Sequence, residues 1–270
     1  MASIGKRTRM LMAGLLVGAL AAGLTLLLLD TGEARCKGRC EPPPFAATWS
    51  YQLQGQPRLT GARVYDIDAF DTPEAFVRQL HARKRYAICY IDAGTWENWR
   101  PDRRRFPQSA LGRENGWPGE RWLDIRRIDV LGPIMRDRIS LCRRKGFDAV
   151  EPDNVDGYTN ETGFPLTPTD QLRFNRELAR LAHRAGLAVG LKNDLDQARA
   201  LRRDFDFAIV EQCFQYDECE QTRAFTRAGK PVFAVEYELP RSRFCSRARA
   251  LRINALRAPL DLDRPGTPCR

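Results

Sequence analysis

Carboxylic acids follow a series of short apolar runs in this sequence, at the point where each run ends. They are Asp66, Asp68, Asp92, Glu151, Asp153, Asp194, Glu211 and Glu236. Crowded carboxylates repel one another and acquire pKa values that differ from site to site. A pair of acids with separated pKa values can cleave a glycosidic bond, since one protonates the leaving oxygen while the other attacks the anomeric carbon or activates water. The pattern therefore indicates hydrolytic chemistry, provided that the fold brings the run ends together.

The apolar runs alternate with longer helical patterns, which is typical of βαβ units and a parallel sheet. Seven strands are predicted at residues 49–53, 63–67, 87–91, 149–151, 188–191, 208–210 and 232–235, with an eighth near 252–260. Helices are predicted at 73–83, 133–145, 169–185, 195–204 and 219–228. Eight such units favour the α/β class and a single-domain TIM-type (β/α)8 barrel. In that fold the carboxyl ends of the strands carry the catalytic groups.

The acids have two competing uses. Acids at strand ends can cap the following helix, which accounts for Asp71 and Asp170 but not for Glu151 or Glu211, which lie within or at the end of apolar runs. Acids can also bind a metal. The two histidines fall in helical patterns away from the cysteine pairs, so we expect no zinc and no other metal or cofactor.

One insertion, at residues 92–128, contains four of the five tryptophans. They are Trp96, Trp99, Trp117 and Trp122. Segments that follow barrel strands lie on the face where function usually resides, and aromatic rings there can stack on sugars. We expect one or two of these rings, Trp96 among them, to contact a ligand and the others to pack inside the insertion.

The N-terminus has the composition of an export signal. The basic stretch KRTR at 6–9 precedes an apolar run at 10–29 that is just long enough to span a bilayer. Residues 1–30 are therefore predicted to be a cleaved signal peptide or an uncleaved anchor that associates with a membrane. A proline-containing linker at 31–46 leads to a domain at 47–270. We expect a monomer that is secreted or held in the cell envelope.

An even number of cysteines behind an export signal favours disulfides. The eight are Cys36, Cys40, Cys89, Cys142, Cys213, Cys219, Cys245 and Cys269. Cys213 and Cys219 are close enough in sequence to close a local loop, and Cys245 is a rival partner for either. The two N-terminal cysteines pair with each other or reach Cys269.

The formal net charge is +10, yet the predicted strand ends are acidic. The excess basic residues are mostly arginines spread along predicted helices, without the interleaved aromatics of a nucleic-acid site, so no nucleic-acid partner is expected. An acidic mouth in a basic protein attracts a cationic substrate. A protonated amino-sugar polysaccharide fits such a mouth better than a neutral or acidic one.

A set of motifs falls at the predicted strand ends and in the insertion. They are WSYQL from Trp49, VYDID from Val64, CYIDAG from Cys89, WExxRPD from Trp96, WPGERWLD from Trp117, GFDAVEPDNVDGY from Gly146, GLKN from Gly190, EQCF from Glu211 and VEY from Val235. In combination they resemble glycoside hydrolase family 114, the endo-α-1,4-polygalactosaminidases, over residues 47–256. The resemblance implies a TIM-type barrel and endo-hydrolysis of α-1,4-linked galactosamine in a secreted or biofilm polysaccharide.

The resemblance also implies roles for single residues. By motif, the two catalytic carboxylates correspond to Asp153 and Glu211. We assign Glu211 as general acid and Asp153 as nucleophile or base, with the reverse order left open. The other residues at the strand ends are expected to contact substrate or tune pKa values: Asp66, Asp68, Tyr90, Asp92, Trp96, Glu151, Asn154, Lys192, Asn193, Gln212, Glu236 and Tyr237. Lys192 can also act as a counter-charge that keeps its neighbours ionised.

Three alternative functions stay open at this point. The barrel could hydrolyse a different sugar, or it could be a catalytically silent carbohydrate-binding or envelope-structural protein. A metal-dependent hydrolase is the third, and loss of activity in the presence of a chelator would favour it.

Overall fold

The structure is a computed structural model that describes residues 40–269. The predicted signal or anchor segment, the first part of the linker and Cys36 lie outside the described residues. Among residues 40–269, no helix combines the length and the apolar character needed to cross a bilayer.

The main sheet contains eight parallel strands in the described part of the chain. In chain order, the strands are β1 (Trp49–Gln52), β2 (Val64–Asp68), β3 (Tyr86–Asp92), β4 (Thr95–Glu97), β5 (Leu111–Glu114), β6 (Glu120–Leu123), β7 (Ala149–Asp153), β8 (Ala188–Lys192), β9 (Phe207–Glu211), β10 (Val232–Glu236), β11 (Asn254–Arg257) and β12 (Thr267–Pro268). The order in the main sheet is β1-β2-β3-β7-β8-β9-β10-β11-β12, and only β12 is antiparallel to its neighbour. All eight predicted strands are present.

The two edges of the main sheet approach each other, so the sheet forms a nearly closed barrel. The backbone N–H groups of Leu53 and Gln54, just beyond β1, donate to the carbonyl oxygen of Leu262, beyond β11, over 3.1 and 3.2 Å. At the other end of β1, the N–H of Ala47 donates to the side chain of Asn254 over 2.9 Å.

Side chains from all eight parallel strands fill the inside of this barrel. The cluster includes Trp49, Tyr51, Val64, Ile88, Ala149, Ala188, Phe207, Ile209, Phe233, Val235 and Leu256. Successive side chains of a strand point to opposite faces, so this inward series continues toward the carboxyl ends in steps of two. It continues with Asp66, Tyr90, Glu151, Asp153, Lys192, Glu211 and Tyr237. The same alternation that builds the core therefore aims these polar groups into one end of the barrel.

Helices cover the outside of the barrel. They are α1 (Glu74–Ala82), α2 (Ile128–Arg144), α3 (Pro168–Arg184), α4 (Ala198–Leu201), α5 (Arg223–Thr226) and α6 (Arg241–Leu251). At the start of α3, Thr167 and Asp170 form a reciprocal capping box, as expected for Asp170. The prediction that Asp71 caps α1 is wrong, because Pro73 occupies the N-cap position and no side chain caps that helix.

The helix α6 was not predicted. Its arginine-rich sequence conceals an apolar stripe of Phe244, Ala248 and Leu251, which packs it onto the core. The insertion forms a separate three-stranded antiparallel sheet in the order β4-β6-β5. This small sheet stands beside the end of β3 and becomes a wall of the site.

Three disulfides join described residues. Cys213–Cys219 closes the local loop that was predicted. Cys245–Cys269 attaches α6 to the C-terminal segment, so the alternatives that paired Cys245 with the local loop, or Cys269 with the N-terminus, are wrong. Cys89–Cys142 ties β3 to α2, and Cys40 is also disulfide-bonded. The packing of α2 and α6 against the sheet brings the cysteines of Cys89–Cys142 and Cys245–Cys269 together. The spacing of cysteines in the sequence does not reveal that packing.

Candidate active site

One buried lysine lies among the acids at the strand ends. The Nζ atom of Lys192 is 3.0 Å from Oε1 of Glu151, 3.1 Å from Oδ1 of Asp153 and 3.5 Å from Oε2 of Glu211. It also donates to the hydroxyl of Tyr51 over 2.8 Å. Burial alone would lower the pKa of Lys192, but the carboxylates of Asp153, Glu151 and Glu211 outweigh it and raise that pKa well above its usual value. The ammonium therefore stays charged. It contacts Glu151 and links Asp153 to Glu211, which are the last residues of β7 and β9.

Asp153, the last residue of β7, is held by three donors. Its Oδ2 accepts a hydrogen bond from the hydroxyl of Tyr90 over 2.9 Å. Its Oδ1 accepts the backbone N–H of Asn154 over 2.8 Å and lies on the Lys192 ammonium. These three contacts fix the position of the carboxyl group at the end of β7. This environment suits a nucleophile or a base.

Glu211, the last residue of β9, is held from two sides. The hydroxyl of Tyr237 donates to Oε1, and the side-chain amide of Asn193 donates to Oε2 over 3.3 Å. The same asparagine accepts the backbone N–H of Glu211 over 3.0 Å. The side chain of Glu211 is 27% exposed, compared with 16% for Asp153. Glu211 is thus the more accessible of the two acids that share Lys192.

A left-handed residue follows each of these three strands. Asn154, Asn193 and Gln212 have φ angles of 58°, 50° and 53°, directly after Asp153, Lys192 and Glu211. Asparagine tolerates this conformation, whereas for glutamine it costs on the order of 1–2 kcal/mol. The backbone turns away sharply after each functional side chain, which leaves the carboxylates and the ammonium at the open end of the barrel.

Two predicted substrate contacts lie below the open end instead. Glu151 and Asp66 are fully buried, and Oε1 of Glu151 accepts the hydroxyl of Tyr51 over 3.1 Å. Burial raises the pKa of both carboxyls, and the neighbouring Glu151 raises that of Asp66 further. Neither residue reaches the cleft described below. They underlie Lys192, a position that is compatible with the expected tuning of pKa values rather than with contact to a ligand in the cleft.

Asp92 and Asp68 also lie away from the cleft. Asp92 is fully buried, and its carboxylate accepts the N–H of Thr95 over 2.8 Å and the side-chain amide of Asn154 over 3.0 Å. Asp68 binds Nη2 of Arg100 at 2.6 Å. Asp92 thereby holds the residue that follows Asp153, and Asp68 holds the insertion to β2. Both residues fix the position of groups around the cleft without lining it.

Trp96 and Glu236 are the remaining predicted site residues that do not line the cleft. The indole N–H of Trp96 donates to the carbonyl oxygen of Arg103 over 3.0 Å, so this ring packs within the insertion. Glu236 lies between two inward-facing residues of its strand and points outward, where it accepts the N–H of Phe214 over 2.8 Å. The strand-end pattern could not distinguish Glu236 from its inward neighbour Tyr237.

A cleft of ≈ 590 Å³ opens above these groups. Of the predicted residues, it is lined by Tyr90, Asp153, Asn154, Lys192, Asn193, Glu211, Gln212 and Tyr237. Sequence reasoning missed further lining residues, among them Tyr51, Asp71, Glu97, Trp99, Arg100, Trp117, Glu120 and Asp261. Tyr51 was detectable, since it follows Trp49 in the inward series of β1. Glu97 and Glu120 belong to short strands of the insertion and the others come from loops, and no periodic signal in the sequence marks either group.

The chain is similar to known proteins in sequence and in fold. The model of glycoside hydrolase family GH114 matches residues 31–270. The chain belongs to family GH114. It is therefore a glycoside hydrolase, and the resemblance drawn from the sequence is confirmed. No curated protein sequence matches the chain.

Solved structures agree with this assignment to GH114. The crystal structure of Aspergillus fumigatus Ega3 in complex with galactosamine is 34% identical, with a TM-score of 0.81 and coverage of 86% of this chain and 99% of that one. The glycoside hydrolase domain of PelA from Pseudomonas aeruginosa is 16% identical, with a TM-score of 0.65 and coverage of 82% and 98%. At that lower identity, the second match supports the fold alone.

Gly94, just beyond β3 of this GH114 enzyme, packs closely against the end of β7. Its N–H donates to the carbonyl oxygen of Asp153 over 3.0 Å, and a Cβ atom at this position would lie 1.7 Å from the carbonyl oxygen of Asn154. We expect Gly94→Ala to displace Asp153, to lower turnover at least about tenfold and to destabilise the fold by about 1–3 kcal/mol. Turnover and urea unfolding measure both effects.

The control is Gly132→Ala in α2, where the nearest atom to a Cβ is 3.8 Å away. Alanine there meets no close atom beyond its chain neighbours, and Gly132 is remote from the cleft, so turnover is expected to stay at the wild-type level. Normal turnover in Gly94→Ala would contradict the steric argument.

A buried acid next to the site makes the stability of the enzyme depend on pH. Burial, followed by the nearby Asp156, raises the pKa of Asp194 to about 8. An unfolded aspartate has a pKa of about 3.9, so the folded state retains a proton that the unfolded chain releases. The stabilisation from this group is complete below about pH 4 and is lost as the pH rises through about 8.

Asp194→Asn should remove that pH dependence. The amide cannot ionise, it tolerates the left-handed backbone at φ 44°, and it can still accept the hydrogen bond from Asn175. Between about pH 4 and 8, we expect the variant to gain stability relative to wild type by up to about 1.4 kcal/mol per pH unit in urea unfolding. The control is Asp129→Asn, an exposed acid that is not among the charges acting on Asp194. Parallel stability curves for wild type and Asp194→Asn would refute the raised pKa.

Proposed function

We propose that this glycoside hydrolase is an endo-acting enzyme that cleaves α-1,4-linked galactosamine polysaccharide with Asp153 and Glu211. The observation that carries the proposal is the pair of carboxylates on one buried ammonium, at the floor of an open acidic cleft. Six carboxyl side chains line the cleft, against the two basic groups of Arg100 and Lys192. The whole chain carries a net charge of +10, so the cleft has the opposite sign to the protein and favours a cationic polymer.

A further observation supports the choice of sugar. Ega3, at 34% identity, is described in complex with galactosamine. We propose that the nearly closed sheet is a (β/α)8 barrel of the TIM type. In barrels of this type, active sites lie at the carboxyl ends of the strands.

In the proposed reaction, Glu211 donates its proton to the glycosidic oxygen as the bond to the anomeric carbon breaks. Asp153 stabilises the positive charge that develops on that carbon, and then attacks it or deprotonates a water that attacks it. The Lys192 ammonium and the Tyr90 hydroxyl hold the Asp153 carboxyl group in position for this role. The anomeric configuration of the first product separates the two routes, and NMR of a fresh digest reports it.

Digestion of a partially deacetylated α-1,4-galactosaminan, with the products sized by mass spectrometry, tests the proposal. We expect a ladder of short oligomers that forms from internal cleavage, and no ladder from Asp153→Asn. Cleavage of a neutral polymer in preference to the galactosaminan would favour a different sugar specificity. Binding without any cleavage would favour the silent carbohydrate-binding alternative.

We also propose that the enzyme acts outside the cytoplasm as a monomer. Its disulfides are typical of an oxidising compartment. We propose that the domain spans residues 47–270. The apolar segment at 10–29 before it is then either a cleaved signal or an anchor. Mass determination of the mature protein, combined with cell fractionation, tests whether the apolar segment is retained.

A further inference from the structure

The small sheet of the insertion forms one side of the cleft and carries groups that the hydrolytic step does not use. Glu97 ends β4 and Glu120 begins β6, and both line the cleft. Trp99 and Trp117 line it as well, although their side chains are 50% and 46% exposed. Apolar surface that is exposed together in a cleft and rimmed by polar groups is typical of a ligand-binding groove. The wall is therefore built as a binding surface.

Glu120 is the acid on this wall that has capacity left for a ligand. Its Oε2 accepts the side-chain amide of Asn115 over 2.7 Å and the hydroxyl of Thr95 over 3.3 Å. No described residue donates a hydrogen bond to its Oε1. Burial raises the pKa of Glu120, as does the negative charge of Asp153. A cation placed beside Glu120 would oppose both effects.

A second acid of the wall, Glu97, lies next to Glu120. Oε2 of Glu97 accepts no hydrogen bond from the described residues, and the side chain is only 2% exposed. Burial raises the pKa of Glu97 to about 7. Carboxylate atoms of Glu97, Glu120 and Asp92 lie within 4.8 Å of one another, so the three together could be taken for a metal site.

Existing contacts make a metal a poor occupant of this cluster. Arg100 lies 2.7 Å from Oε1 of Glu97, and Arg138 lies 3.6 Å from its Oε2. Two guanidinium groups would repel a divalent cation at that distance. Asp92 is already committed to Thr95 and Asn154. The accessible carboxylate is that of Glu120, at the cleft surface, where a singly charged ligand group can reach it.

We propose that Glu120, with the indole rings of Trp99 and Trp117, forms a subsite that selects a sugar bearing a free, protonated amine over its N-acetylated form. The proposal rests on the proposed function and adds the residues that decide which substituent is accepted. An ammonium offers three donors and a full charge to the carboxylate, whereas an acetamide offers one donor and no charge. The indole faces can stack on either sugar, and they attract the ammonium by cation–π interaction.

Direct binding tests this subsite separately from cleavage. In a Glu211→Gln background, the ligands are a fully deacetylated α-1,4-galactosamine tetramer and its fully N-acetylated counterpart, measured by calorimetry. We expect Glu120→Gln to weaken binding of the deacetylated tetramer about tenfold or more, and to leave the acetylated tetramer unchanged. The matched control is Glu114→Gln, an exposed acid of the same small sheet that does not line the cleft.

The tryptophans provide a contrasting result. Because stacking depends on the ring and not on the nitrogen substituent, Trp117→Ala should weaken binding of both tetramers. If Glu120→Gln weakens both tetramers equally, or neither, the selection of the amine by Glu120 is overturned. If Glu120→Gln fails to fold, Glu120→Asp, which keeps the charge but withdraws it, must narrow the preference for the deacetylated tetramer.

The outcomes for function and subsite are distinguishable. If the wild type does not digest galactosaminan but Glu120→Gln loses the amine preference in binding, the proposed function fails and the subsite stands. If digestion proceeds and the preference persists in both Glu120 variants, the subsite fails and the function stands.

Discussion

Replacing Asp153 or Glu211 by its amide should reduce turnover of a galactosaminan by about 10²–10⁴-fold or more and leave folding intact. The amide keeps the shape and most hydrogen bonds of each side chain, but it cannot attack a carbon or transfer a proton in the required direction. The hydroxyl donors from Tyr90 and Tyr237 can bind an amide oxygen as well as a carboxylate. Initial rates on the polymer, with circular dichroism as a check on folding, measure the effect.

The matched control for these two variants is Glu238→Gln. Glu238 follows β10 at the same end of the barrel, where it is exposed and bonded to Gln215 rather than to the cleft. It should retain full turnover. Normal activity of Asp153→Asn would remove Asp153 from the reaction.

Azide rescue can assign the separate roles. If Asp153 is the nucleophile, azide should attack the α-linked substrate directly in Asp153→Ala and yield the β-azide. In Glu211→Ala, azide should instead attack the intermediate formed with Asp153 and yield the α-azide, most readily with an activated leaving group. The opposite pairing of products would exchange the two roles. The absence of any rescued azide product in Asp153→Ala would favour the route through water.

The second large effect is expected for Lys192→Met. This substitution leaves three carboxylates around an apolar chain, of which Glu151 is fully buried. Removing one partner of a buried ion pair costs about 3–5 kcal/mol, because the remaining charge stays desolvated. We expect a loss of stability of that order near neutral pH in urea unfolding. Turnover should fall at least about 100-fold.

The pH dependence of the Lys192→Met defect has a definite sign. Without the ammonium, the pKa of Glu151 is raised even further by its burial, so the folded state takes up protons more readily than the unfolded chain. The loss of stability should therefore be greatest at high pH and should shrink as the pH falls. The acidic limb of the pH–rate profile should move to higher pH, since the neighbouring Asp153 also loses its counter-charge.

A second substitution and a control test the cause. Glu151→Gln, added to Lys192→Met, removes the most buried of the stranded charges and should restore part of the lost stability. Lys145→Met is the control, because Lys145 donates only to the backbone carbonyls of Ala69, Phe70 and Thr72. It can lower stability, but it should not shift the pH–rate profile. Equal behaviour of the two lysine variants would refute the electrostatic role of Lys192.

Much of the framework was accessible from the sequence because it depends on short-range patterns. Apolar runs that alternate with helical patterns predicted all eight parallel strands, including β11. The capping signal at Thr167 and Asp170 is local and appears as expected. The motifs around Asp153 and Glu211 were sufficient for the family, since contiguous segments carry them. Among the helices only α6 escaped, because its arginines hide the apolar stripe, and the short strands β4, β5, β6 and β12 were not predicted either.

The residues that form the site were only partly accessible from the sequence. The acids at strand ends were evident, but a strand end does not reveal which face a side chain occupies. The inward Tyr237 directly follows the outward Glu236, and Asp153 in the cleft lies two positions after the buried Glu151. Trp99 and Trp117, rather than the expected Trp96, reach the cleft, because loop geometry and not periodicity orients them.

The acidic strand ends were therefore recognisable from residue order alone, whereas their division into cleft, support and outer face required the folded barrel. Period-two alternation specifies which residues share a face, but closure of the sheet decides which face becomes the interior. Depth along the strand then decides which acids meet solvent. The ammonium of Lys192 joins β7, β8 and β9 across this interior. Contacts of that kind depend on the register of neighbouring strands, which no single segment of sequence encodes.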